Sequence, residues 1–313
     1  MTLSLLQLLV GVLLAWFGGE LFVRGSVGLA SWARWPTAVI GATVAAFGTS
    51  APELFVAIHS ARDGVPQLSF GDVLGSNVVN VALVLAIALL MAPMKASRGG
   101  VLRDYSIALL VPLVVGVVAL DGYISRLDGV FMLAVFAGWL TLAVTDARRH
   151  SKSVEASDES VKPGKSVLVT LLGLGVLMVA AQFVVHGGKG IATALGWSTF
   201  VIGAVVVALA TSTPELATTI IAKLKGHDDI GLGNILGSNI FNALFIASIV
   251  ALIQPFEMPF VAVRTALIGG LVSTLLIWPS KAGSIGRGRG VLLLIVYAAF
   301  IMISMKEASG ASH

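Results

Sequence analysis

The sequence predicts an all-α membrane protein of ten transmembrane helices, arranged as two inverted five-helix repeats. Three observations carry this reading. The 313-residue chain is 57% apolar and only 12% charged, with a mean hydropathy of +0.97, whereas a soluble domain is about a quarter charged. Long stretches such as Tyr105 to Leu120 and Val291 to Met305 carry no charge, as spans of roughly 20 apolar residues require. One passage also occurs twice. Gly48-Thr49-Ser50-Ala51-Pro52-Glu53-Leu54 returns as Ala210-Thr211-Ser212-Thr213-Pro214-Glu215-Leu216, and Gly75-Ser76-Asn77-Val78-Val79-Asn80 as Gly237-Ser238-Asn239-Ile240-Phe241-Asn242, both offset by 162 residues.

The first span is placed at 3–23. It has no basic residue before Arg24, and no small-residue cleavage signal follows, so it reads as a retained helix rather than a signal peptide. Apolar runs then place spans at 37–61, 68–92, 104–121 and 127–146, and after a break at 166–186, 198–222, 229–253, 260–279 and 290–306. The break, 148–165, is polar, mixed in charge and carries Pro163-Gly164, which makes it a linker. The repeats are therefore 1–147 and 166–313. Segments on the side of the 1–2, 3–4, 5–6, 7–8 and 9–10 loops carry 15 Lys/Arg and the opposite side five. The basic side is expected to be cytoplasmic in a multi-pass cell-membrane protein, with the linker inside and both termini outside.

Five spans per repeat is an odd number, so the second copy enters the bilayer from the opposite side. Its motif then meets the first near the midplane, about a pseudo-two-fold axis lying in the membrane. The likeness extends past the motifs: from Thr37 to Ile58, 13 of 22 positions equal their partners at +162. Glu20 faces Gln182 and Asp72 faces Asn234, so neither acid is duplicated. Glu20 is expected to be structural or gating. Asp72 is left between a proton-titrating group and an entry-path residue.

Acids inside a membrane are costly and mark function. Each copy here sets a glutamate one residue after a proline that removes a helical hydrogen bond. The carbonyls near Gly48-Thr49 and Ala210-Thr211 lose partners, a state tolerated at membrane depth only where something else satisfies them. Thr49 and Thr211 stand four residues before Glu53 and Glu215, on the same helical face. Ser76 with Asn80, and Ser238 with Asn242, are likewise four apart. Gathered at the midplane, two carboxylates and the neutral oxygens of Thr49, Ser50, Ser76, Asn80, Thr211, Ser212, Ser238 and Asn242 suit Ca2+, which takes about 6–8 oxygens. The same hydroxyls and carbonyls suit Na+. Plainer readings stand beside this one: the hydroxyls and asparagines can simply bond helices together, and Gly71, Gly75, Gly233 and Gly237 can serve close packing.

Other chemistries find little support. With no cysteine, disulfides and thiolate chemistry are excluded. Basic residues lie in short loops, so the bilayer rather than nucleic acid is the expected partner. The five histidines lack metal-ligand spacing, Asp228 and Asp229 read as a solvated turn, and no HExxH, Ser/Lys pair or nucleotide loop is present. The chain is not expected to be an enzyme or to hold a resident cofactor.

On these motifs the chain resembles the cation/calcium exchanger superfamily, and within it the sodium/calcium exchangers of prokaryotic ten-span type. The resemblance covers essentially the whole chain and is most specific in two alpha repeats, about 37–92 and 199–254. It implies that Glu53 and Glu215 are shared divalent ligands, flanked by Thr49, Ser50 and Ser76 and by Thr211, Ser212 and Ser238. It further implies ligation by the carbonyls of Ala46 and Ala208 and the amides of Asn80 and Asn242. The chain departs from the pattern at Ala210, where glycine is usual, a change expected to stiffen a helix contact. It also has Asn242 where potassium-dependent relatives carry aspartate, which weakens the case for potassium co-transport.

The function expected is a secondary antiporter exchanging Na+ for Ca2+ by alternating access, with the long, glycine-bearing first and sixth spans as a sliding gate. A proton-coupled exchanger for calcium or another divalent cation is the alternative. A cation channel fits an internal inverted repeat less well. Oligomeric state is left open.

Overall fold

The computed structural model describes residues 2–33, 35, 37–62, 64, 66–96, 100–150, 163–194, 208–280 and 283–310. Most of the linker and the start of the seventh span, 198–207, therefore lie outside the described residues. Ten helical segments run in the expected order. The first is Thr2–Ala33 and the sixth Pro163–Ala194, each 32 residues. At 1.5 Å per residue each is about 48 Å long, well beyond a ~30 Å hydrocarbon core. Sequence reasoning stopped the first span at Arg24 because a charge normally ends an apolar run. Arg24 instead stays helical, donating to Glu20 one turn back at 3.3 Å. Glu20 also accepts from Lys225 at 2.5 Å, so this unduplicated acid ties the first span to the end of the seventh.

The second span is broken. Thr37–Ile40, a π-helical turn at Gly41–Ala45 and Ala46–Thr49 lead to Ser50, and Ala51–Arg62 then continues at 52° to the preceding segment. The seventh repeats this, with Ala208–Thr211, Ser212, then Thr213–Leu224. Proline falls second in each continuing helix, where its missing N–H costs nothing. The third span is Pro66–Val79, a π turn at Asn80–Leu85 and Ala86–Met91; the eighth is Asp228–Ile240, a π turn at Phe241–Ile246 and Ala247–Ile253. These two are buried along most of their length, whereas the first, fifth (Arg126–His150), sixth and tenth (Arg287–Gly310) turn apolar side chains outward. Gly100–Val118 and Phe260–Leu276 complete the set.

Two small antiparallel sheets prove the inversion. Strand β1 (Met94–Lys95) pairs with β4 (Ser284–Ile285), and β2 (Tyr123–Ile124) with β3 (Phe256–Glu257). Adding 162 to β1 gives β3, and subtracting it from β4 gives β2 within one residue. Each sheet takes one strand from each repeat, and the two lie on opposite faces of the bundle. The left-handed glycines Gly64 and Gly226 are related by the same offset and mark those two faces. On the Gly226 face Asp228 is more than a solvated turn: it accepts from the Lys95 backbone N–H at 2.8 Å and from Lys223 at 2.9 Å. Strand β1 brings Lys95, and the end of the seventh span brings Lys223.

Of Gly71, Gly75 and Gly237, the last shows close approach. A Cβ there would stand 2.2 Å from the Ala42 carbonyl oxygen, whereas at Gly75 the nearest atom is 3.7 Å away and at Gly71 space is open. Gly237→Ala is therefore expected to force two backbones apart and lower thermal stability in detergent by about 1–3 kcal/mol. Gly75→Ala, at the related position, is expected to be neutral or to gain up to about 1 kcal/mol of helix propensity. Equal melting temperatures for the two variants would contradict this packing.

Candidate functional site

The four broken or π-interrupted spans cross at the centre, and their polar side chains meet there. Thr49, Ser50, Glu53, Ser76, Asn80, Thr211, Ser212, Glu215, Ser238 and Asn242 are all buried. Glu215 Oε1 accepts from Ser50 Oγ of the other repeat at 3.0 Å and from Ser238 Oγ at 3.2 Å. Thr49 Oγ1 donates to Asn234 Oδ1 at 3.1 Å and lies 3.5 Å from Ser238 Oγ; Thr211 Oγ1 and Ser76 Oγ mirror that last contact at 3.5 Å. The structure thus brings together carboxylate and hydroxyls from both repeats.

The two-fold relation is not complete. Among the described residues Glu53 has no partner at good hydrogen-bond geometry on either oxygen, and Ser212 Oγ, whose mate Ser50 serves Glu215, has none. Glu215 is held by the hydroxyls of Thr49, Ser50 and Ser238, whereas Glu53 draws on the Thr211 hydroxyl alone, in a looser contact. The Ala46 and Ala208 carbonyls are not freed by the prolines. They accept from Ser50 and Ser212 N–H at 3.0 Å, and from the Thr49 and Thr211 hydroxyls at 3.5 and 3.2 Å. The group that proline orphans is four residues back, at Gly48 and Ala210.

Asn77 and Asn239, not singled out from the sequence, hold the centre. Asn77 Nδ2 donates to the Asn239 carbonyl and Asn239 Nδ2 to the Asn77 carbonyl, both at 3.0 Å. A reciprocal bond between residues 162 apart straddles the pseudo-two-fold axis. Asn80 Nδ2 adds a bond to Asn239 Oδ1 at 3.1 Å, while Asn242 has no side-chain partner among the described residues. The signal was available: Asn77 and Asn239 are duplicated at the same offset as the glutamates. A π turn follows each asparagine pair, shifting the hydrogen-bond ladder and so leaving a carbonyl short of its regular donor.

Buried polar atoms without partners are expensive and in folded proteins are rare. Here, among the described residues, all of them but Ser26, Thr218 and Thr219 belong to the two motifs or, as Asp72 and Asn234, stand one turn before a motif serine. The oxygens involved are those of Glu53, Asp72, Asn77, Asn80, Ser212, Glu215 and Asn242. Such a concentration of hard oxygen donors fits an oxygen-seeking cation. Among the described residues no three acids or imidazoles converge on one point, so hydroxyls and amides must supply most of any coordination shell.

The first and sixth spans cover this centre as an antiparallel pair. Gly25 would clash with the Thr170 backbone and Gly173 with the Phe22 backbone if either carried a Cβ (2.5 Å in both cases). Phe22 and Leu174 lie over Gly48 in the second span, and Gly19 lies against Ala217 in the seventh. The pair therefore touches both broken spans, with Phe22, Leu174 and Leu177 packed against Ala45 and Ala217 and glycines where the backbones come closest.

Comparison with known proteins agrees with this architecture. The family described as sodium/calcium exchanger protein matches residues 3–145 and 165–306. The inner membrane protein YrbG of Escherichia coli (strain K12) is 33% identical over 308 residues, covering 94% of each chain. The sodium/calcium exchanger MaX1 of Methanosarcina acetivorans is 28% identical, covering 96% of this chain and 98% of its own. A solved structure of the sodium-calcium exchanger NCX_Mj, soaked with Na+ and Sr2+, superposes with a TM-score of 0.82 at 31% identity, over 96% of this chain and 98% of that one. With the inverted repeat, the paired motifs and these matches together, the chain belongs to the sodium/calcium exchanger protein family.

Proposed function

We propose that this protein is a secondary antiporter that moves Ca2+ against Na+ by alternating access, with Glu53 and Glu215 as the shared cation ligands. The observation that carries the proposal is the pair of fully buried, symmetry-related carboxylates at two helix breaks, surrounded by hydroxyl and amide oxygens. Two carboxylates balance a divalent charge, and the neutral oxygens of Thr49, Ser50, Ser76, Asn80, Thr211, Ser212, Ser238 and Asn242, with the Ala46 and Ala208 carbonyls taking the ion in place of their threonine hydroxyls, make up the shell. Na+ uses the same donors, so occupancy by one ion disfavours the other, and that competition couples the two fluxes. The ions are cargo; no resident cofactor and no covalent chemistry are involved.

The access change is assigned to the first and sixth spans. Their glycine contacts let the pair slide over the broken helices, opening the centre to one face and then the other. The ion pair from Glu20 to Lys225 is on the path of that motion. The excess of basic loops on the Gly226 face sets that face, and the 148–165 linker, in the cytoplasm.

The test is calcium-45 uptake into liposomes containing purified protein, with Na+, K+ or a proton gradient as the only driving ion. Uptake that requires internal Na+ is expected. Uptake driven by protons alone would replace the coupling ion and keep the site. Absence of calcium flux under every gradient would reject calcium as cargo.

A further inference from the structure

Asp72 breaks the pseudo-symmetry of the centre. It lies in the third span, one turn before Ser76, so Asp72, Ser76 and Asn80 form one stripe at intervals of four. The related stripe in the eighth span is Asn234, Ser238 and Asn242. Both acid and amide stand six residues into their helices, which begin at Pro66 beside the Gly64 turn and at Asp228 beside the Gly226 turn. One helical turn is about 6 Å, so each lies that far from its serine, toward opposite faces of the membrane. The approach from the Gly64 face thus carries a carboxylate where the approach from the Gly226 face carries a neutral amide.

The two related side chains are also treated differently by their surroundings. Asn234 Oδ1 accepts from Thr49 at 3.1 Å. Asp72 is 94% buried (6% exposed), and among the described residues neither of its oxygens has a hydrogen-bond or ion-pair partner. Its face of the helix packs on the helix that carries Glu53: Ser69 Oγ, one turn earlier, donates to the Ala57 carbonyl at 3.2 Å, and Ala57 is one turn beyond Glu53. Through this packing the Asp72 and Glu53 carboxylates interact electrostatically, and among the described residues neither has a partner at good hydrogen-bond geometry, Glu53 drawing only on the Thr211 hydroxyl. Two buried carboxylates so weakly supported are tolerable when a cation shares them.

We infer that Asp72 is a cation ligand, forming with Glu53 a second position for the transported cation on the Gly64 side of the Glu53–Glu215 pair. An ion arriving from that face meets an acid one turn before the central site. An ion arriving from the Gly226 face meets Asn234 and must go directly to the centre. The inference rests on the exchange reading above, and it makes the two faces of the transporter unequal in cation affinity.

The experiment compares right-side-out and everted membrane vesicles holding the wild type, Asp72→Asn or Asn234→Asp, and measures the half-saturating Ca2+ at each face. The fold should accept Asp72→Asn, because the second repeat already carries asparagine there. Asp72→Asn is expected to raise half-saturating Ca2+ about tenfold at one face, the size typical for loss of a supporting metal-site group, and to leave the other face within about twofold. Asn234→Asp is expected to change the opposite face. Equal effects of Asp72→Asn at both faces, or no effect at either, would overturn the inference. If the wild type moves no calcium, the exchange reading has failed instead, and thermal stabilisation of the detergent-solubilised protein by Ca2+ or Mn2+ decides the matter. Weaker stabilisation of Asp72→Asn than of wild type supports the ligand, and equal stabilisation rejects it.

Discussion

Glu53→Gln and Glu215→Gln are each expected to lower sodium-driven calcium uptake by at least about a hundredfold. Removing one partner of a buried charge pair costs about 3–5 kcal/mol, and each 1.4 kcal/mol is tenfold. The amide is nearly isosteric, so the loss reports charge rather than shape. The two variants should part company in stability. Glutamine at 215 keeps an oxygen for Ser50 and Ser238, so melting in calcium-free buffer is expected to change little. Glutamine at 53 replaces a buried carboxylate that, among the described residues, draws only on the Thr211 hydroxyl, which relieves a poorly compensated charge. Its melting temperature in calcium-free buffer is expected to rise, while its stabilisation by Ca2+ disappears. Flux within twofold of wild type in either variant would remove these residues from the site.

Breaking the asparagine clamp is expected to have the largest effect on folding. Asn239→Ala deletes the donor to the Asn77 carbonyl and the acceptor of Asn80, leaving the Asn77 carbonyl and Asn80 Nδ2 without those partners in a dry interior. Each buried group left without a partner costs about 1–3 kcal/mol, so a loss of about 2–4 kcal/mol is expected. Asn77→Ala deletes one donor and no side-chain acceptor in use, and should cost about half as much. Unfolding of the purified variants in detergent, followed by circular dichroism against temperature, measures both. The ordering is the informative part: a clamp that served only general packing would give equal losses.

Much of this molecule is legible in its sequence. Apolar runs located the ten spans, because lipid leaves few options for a chain this poor in charge. The proline and glutamate at equal offsets exposed the inverted repeat and the central acids. What stayed hidden follows from physics that sequence does not record. Glu53 and Glu215 sit in almost identical local sequence, so nothing marks one as held by more hydroxyls than the other; that difference arises from how the repeats meet. The π turns at Asn80–Leu85 and Phe241–Ile246 are apolar apart from Asn80 and Asn242, and no residue type marks the extra residue that each accommodates. Gly71, Gly75 and Gly237 look alike on paper, yet of these three only Gly237 faces a backbone. Arg103 was counted as a loop charge, but it folds back onto Asp104 and Asp146 at 2.8 and 3.0 Å, with Trp139 donating to Asp104 at 2.9 Å. Those aspartates come from the fourth and fifth spans, a pairing only the fold supplies.

The exchanged strands carry a consequence for origins. Each sheet is built from one strand of either half, and the Asn77–Asn239 bonds are the same bond written twice. Contacts of that kind are what two identical subunits make across a two-fold axis. A five-span ancestor able to insert in both orientations would close both sheets and the clamp by pairing with an inverted copy of itself. Fusion then freed the copies to diverge, and Asp72 opposite Asn234 records a difference that no homodimer could have held.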